Sequence, residues 1–132
     1  MDIIRIKRLE RVISRREELK LEYQKLTQPK IPIRNRVHKL HEDAKLFFHC
    51  ERLSGWDRKK FVFVVLYLCA PQVLCGSRMP NGLRKMLSLE FGVNSGSVSN
   101  DCKDLMFLYE TYGCFRSGTN EYFRHVMGIL DG

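Results

Sequence analysis

From Asp2 to Leu26 the chain contains neither proline nor glycine, and apolar or aromatic residues return at Leu9, Val12, Leu19, Tyr23 and Leu26. With Arg16 as the single polar occupant, these positions alternate between steps of three and four, the a and d sites of successive heptads. The pattern predicts a long amphipathic helical arm over residues 1–28. It also predicts a homodimer whose seam is Leu9, Val12, Leu19, Tyr23 and Leu26, although a helix packing the same stripe on its own domain fits the spacing equally well.

Gln28-Pro-Lys-Ile-Pro-Ile-Arg-Asn35 breaks the periodicity, because each proline lacks an N–H and biases its predecessor toward extended backbone. Residues 29–36 are therefore read as a linker, and residues 37–132 as a helical core domain. Helical spacing resumes through Val37, Leu40, Ala44, Phe47 and Phe48, with a stop expected at Leu53-Ser54-Gly55. Ser54-Gly-Trp-Asp57 has capping-box spacing ahead of an apolar run, which predicts a helix from Trp56 to Cys69. Phe61–Leu68 is also rich in β-formers and could be a buried strand. No second strand candidate exists to pair with it, and an isolated strand leaves its backbone groups unsatisfied. Pro71 ends this element, and Cys75-Gly-Ser-Arg-Met-Pro-Asn-Gly82 reads as a loop. The fold class expected is all-α.

Beyond the loop, Leu83, Met86, Leu87 and Leu89-to-Phe91 supply the inner face of a short helix, and Gly92 supplies a residue that can leave it through left-handed backbone. Val93 and Val98 flank the turn as a packing pair, and Asn94 or Ser95 can cap a second helix. Leu105, Leu108, Tyr109 and Tyr112 are read as extending that second helix to a stop at Gly113. Tyr122, Phe123, Val126, Ile129 and Leu130 predict a closing amphipathic helix.

The segment Arg84–Cys102, with its string Gly92-Val-x-x-x-x-Val98-Ser, resembles the helix-turn-helix of bacterial and phage transcription regulators, here spanning residues 83–112. The position where that family often has alanine is Ser88, and Asp101 stands where many members place an apolar residue. The resemblance implies that the second helix enters the major groove of duplex DNA. Ser95, Ser97, Ser99 and Asn100 would then meet base edges, with Asn100 able to pair bidentately with adenine. Arg78, Arg84, Lys85, Asn94 and Lys103 would meet phosphates. The second helix has no arginine, and Asp101 is expected to repel phosphate. A protein-interaction module that keeps the same helices as scaffold is the competing reading.

Charge changes the picture in one respect. The chain has 23 Lys+Arg against 15 Asp+Glu, a formal net charge of +8, yet residues 1–40 alone carry 12 basic and five acidic side chains. A basic segment attracts polyanions by counterion release, which makes nucleic acid the leading partner class, with a solvated charged helix face as the bland alternative. A content of 44% hydrophobic residues suffices for a core.

Five cysteines in a chain without an apolar leader segment suggest reduced thiols and a cytoplasmic location. The run Phe61–Ala70 is too short to cross a bilayer, which needs about 20 apolar residues. His38 and His41 sit three apart and His49-Cys50 follows, but no Cys-x-x-Cys pair exists, so no metal site is expected. No nucleophile motif, Walker sequence or dinucleotide glycine pattern occurs either, so neither a cofactor nor an enzymatic activity is expected.

Overall fold

A computed structural model describes residues 1–29 and 33–131, so residues 30–32 of the expected linker lie outside the described residues. Seven α-helices are described: α1 (Ile3–Thr27), α2 (Val37–Phe47), α3 (Gly55–Cys69), α4 (Asn81–Phe91), α5 (Ser95–Cys102), α6 (Leu105–Thr111) and α7 (Gly113–Asp131). Short 3-10 helices cover Ile33–Arg36 and Pro71–Cys75, and no strand occurs among the described residues.

The centre of the fold is α3. Phe61 through Leu66, together with Leu68, are all buried, which means the helix is apolar around most of its circumference rather than along one stripe. Burial on every side also explains why this β-former-rich run is helical. α3 packs on α7, α5 and α2, so each turn of apolar side chains meets another helix, and its backbone polar groups are satisfied internally. On α7 the buried residues Phe115, Thr119, Tyr122 and Val126 recur at steps of four and three and form the facing stripe. The Tyr122 ring is fully buried beside Phe47, Phe48 and Phe61. Its hydroxyl has no hydrogen-bond partner among the described residues, and burial pushes its pKa well above the ordinary tyrosine value.

Several boundaries differ from the sequence expectation. The second helix ends at Phe47 rather than near Leu53, because His49 turns into left-handed backbone at φ 54° and the Cys50 N–H closes back on the Lys45 carbonyl. Ser54 does begin α3 in extended backbone, but its side chain makes no cap hydrogen bond. Asp57 instead places a negative charge in the first turn, where the helix dipole favours it, 3.8 Å from Lys60. The second helix of the candidate motif does not run on to Tyr112. It stops at Cys102, and α6 restarts at Leu105 after a turn in which Lys59 of α3 grips Asp104 at 2.9 Å. Gly113 opens α7 instead of ending a helix. Leu89 and Tyr112, expected in the core, are 73% and 43% exposed.

Every side chain of α1 from Ile3 to Leu26 is exposed, including Leu9, Val12, Leu19, Tyr23 and Leu26. The helix is capped at its start by Asp2, whose carboxylate accepts from the Arg5 N–H at 3.2 Å. No helix among the described residues is long and apolar enough to cross a membrane.

Candidate nucleic-acid interface

The geometry of α4 and α5 begins with the turn between them. Gly92 adopts φ 66°, the left-handed region that disfavours a Cβ. Its N–H donates to the Leu89 carbonyl at 3.3 Å, and the Val93 N–H donates to the Ser88 carbonyl at 3.1 Å. This is the paired pattern of a Schellman ending, which satisfies two carbonyls that the helix end would otherwise leave open. The Ser88 hydroxyl donates to the Val93 carbonyl from the other side of the turn. A small residue at position 88 therefore does more than permit close approach, since it closes the turn it faces.

After one residue the chain enters α5. Asn94 is its N-cap, and its side-chain oxygen accepts from the Ser97 N–H at 2.8 Å. Val98 and Asp101 form the buried face of α5, with Leu105 continuing it. At about 100° per residue, the side opposite that face carries Gly96, Ser99, Asn100 and Lys103. Of the four expected base-reading residues, Ser99 and Asn100 thus share the outward face. Ser95 and Ser97 lie toward its two flanks.

Asp101 does not stand on the outer face as a free negative charge. Its carboxylate is turned inward, where Oδ2 lies 2.8 Å from Arg58 Nε and Oδ1 accepts from Arg58 Nη2 at 3.2 Å. The Nε contact is an ion pair without linear hydrogen-bond geometry. Arg58 itself lies over the Phe91 ring, 5.7 Å from the centroid. Asp101 therefore docks α5 on α3, paired with Arg58 rather than free on the outer face as the sequence reading had it. Nothing in the spacing of the sequence pairs position 58 with position 101.

Three of the five candidate phosphate contacts are brought together. Arg78, from the loop before α4, Arg84, from its first turn, and Lys103, at the end of α5, line one groove of about 380 Å³ with Ser99. The groove lining among the described residues includes no carboxylate, and Val73, Met79, Cys102 and Met106 form its apolar floor. Arg84 is further steadied by donating from Nη2 to Asn81 Oδ1 at 2.8 Å. Lys85 is exposed on α4 but lies outside this groove, as does Asn94. The sequence reading missed the floor of the groove, above all Met106 and Cys102. The Cys102 thiol is pushed up to about 12 by burial, with Asp101 and Asp104 adding to the rise and Lys59 opposing it.

Comparison of the chain with protein-family models, with curated proteins and with solved structures found no match.

Proposed function

We propose that the protein binds duplex DNA through α4 and α5 as a non-enzymatic regulator of the helix-turn-helix kind, of the sort that phages and mobile elements use. The observation that carries this reading is the cluster of Arg78, Arg84 and Lys103 around one groove beside the outward face of α5, with no opposing carboxylate in its lining. A chain of phosphates laid along that groove would meet three cations while Asn100 and Ser99 face the bases. Neutralisation of Asp101 by Arg58 supports the same reading, because it removes the charge that would oppose the approach. The cytoplasm is the matching location.

In this reading α1 joins two copies through Leu9, Val12, Leu19, Tyr23 and Leu26, all exposed in the single chain. Two copies would present two reading helices to successive half-sites. The same exposure favours a second reading, in which the arm captures another protein and α4 and α5 serve only as scaffold.

Fluorescence anisotropy with random and selected duplexes, repeated across a salt series, tests the proposal. Arg84→Ala and Lys103→Ala should weaken binding to all sequences alike and reduce the salt slope by about one unit each. Asn100→Ala should cost about 1–3 kcal/mol on a preferred site and little on random DNA. If all three variants bind as the parent does while removal of residues 1–28 abolishes binding, the scaffold reading replaces this one. Light scattering of the intact and shortened chains reads the oligomeric state separately, and a monomer in both cases removes the seam.

A further inference from the structure

Away from the basic groove, the structure gathers metal-ligating side chains between α2 and α4. His38 and Glu42 are four residues apart on α2 and so share one helix face. Glu90, in the last turn of α4, reaches this face from the opposite side. His38 Nδ1 lies 2.8 Å from Glu90 Oε1. One donor atom each from His38, Glu42 and Glu90 falls within 4.8 Å of the other two.

A fourth residue fixes the arrangement. His41 is buried, and its Nδ1 lies 2.8 Å from the same Glu90 oxygen. Its ring is held between Phe61 and Phe91, with centroids 5.6 and 5.2 Å away. The Glu90 side chain, only 15% exposed, is thereby oriented from the interior, while His38 and Glu42 open to solvent.

We propose that His38, Glu42 and Glu90 bind one divalent transition-metal ion of the zinc class, with His41 as the positioning residue for the Glu90 carboxylate. The chemistry of the donors decides the class. An imidazole and two carboxylates, with no thiolate, suit zinc, cobalt or nickel, and solvent completes the shell on the open side. An ion about 2.0–2.2 Å from each donor in tetrahedral geometry sets the donors roughly 3.3–3.6 Å apart. The donors here lie no more than 4.8 Å from one another, with His38 and Glu90 already at 2.8 Å, and rotation of the exposed His38 and Glu42 side chains brings the three to that spacing. Two carboxylates converge here, and a single dication balances both charges. His41 supplies the outer support common to metal-bound carboxylates. The competing partner of Glu42 is Lys45, whose Nζ lies 2.8 Å from Oε1, in an exposed pair that a dication displaces. The ion would tie α2 to the end of α4, two residues before the Gly92 turn.

The experiment uses the intact, reduced chain, with zinc measured by competition against a chromophoric chelator and cobalt by its visible absorption. One ion per chain is expected, together with a higher melting temperature in metal than in chelator. His38→Ala and Glu42→Gln change exposed side chains and leave the fold intact, and each should weaken binding at least about tenfold. His41→Asn should retain cobalt but shift its visible bands, a change that loss of packing alone does not produce. No binding at millimolar ion, a thiolate-to-cobalt absorption band that assigns the ion to cysteines, or unchanged affinity in both His38→Ala and Glu42→Gln would each overturn the proposal.

Discussion

Asp101→Ala isolates the contact that docks α5 on α3. The Arg58 and Asp101 side chains are 17% and 11% exposed and approach to 2.8 Å. With an effective dielectric constant of about 20, unit charges at that distance attract by roughly 6 kcal/mol before any desolvation is counted. Removal of both partners would regain most of the desolvation, but removal of Asp101 alone strands the guanidinium in a partly buried position. Such single deletions cost about 3–5 kcal/mol, and the residual exposure of Arg58 puts this one near 3. For a chain of this length the melting temperature should fall by about 10 °C. The internal reference is Lys59–Asp104, also an α3 pair, whose carboxylate is 41% exposed. Solvent screening reduces that pair to under about 1 kcal/mol, so Asp104→Ala should be mild. Urea titrations of both variants, followed by circular dichroism, make the comparison. The double variant Arg58→Met with Asp101→Leu should recover most of the loss. Equal costs for Asp101→Ala and Asp104→Ala, or no recovery in the double variant, would refute the account of a buried, mutually dependent pair.

Three further outcomes follow from local geometry. Gly92→Ala meets no atom within 4 Å of the added Cβ, so its penalty is purely conformational at φ 66°: about 1 kcal/mol in a urea titration, with Gly92→Asn costing less. Tyr122→Phe removes a buried hydroxyl that has no partner among the described residues, so calorimetry should find it neutral or stabilising by up to about 2 kcal/mol. With Cys102 pushed up to about 12, only about one thiol in ten thousand is ionised at pH 8, so Cys102 should resist iodoacetamide in the folded chain while exposed Cys75 and Cys114 react. Mass spectrometry of digested protein reads the modified positions, and alkylation of Cys102 at the rate of Cys75 would contradict its burial.

Features dictated by a few neighbouring residues were legible in the sequence. The proline-free, glycine-free stretch before Gln28 forms α1, and a left-handed exit at Gly92 follows from the one residue type that adopts it without strain. Two helix boundaries were not legible. The end of α2 depends on left-handed backbone at His49, a histidine that carries no turn signature. The break between α5 and α6 lies in a segment with no glycine or proline. There Asp104 is drawn to Lys59 from 45 residues away, and periodicity through Leu105 and Leu108 gave no warning of it.

The candidate interface divides along the same line. Helical spacing alone brings Ser99, Asn100 and Lys103 to one side of α5, because a short helix with Val98 and Asp101 buried has little freedom in what faces outward. Arg78 joins Lys103 where the loop after Cys75 folds the neighbouring Met79 into the core, 8% exposed, and Arg84 joins them from the first turn of α4. Asp101 shows how far a residue type can mislead when its partner is unknown. As an isolated letter in α5 it reads as a free negative charge, whereas the structure pairs it with Arg58, where it orients the helix. His41 and Glu90, 49 residues apart, repeat the lesson, since the histidine spacing in α2 gives no sign of the carboxylate that α4 brings to it. In both cases the chemistry belongs to the pair of helices rather than to either sequence segment.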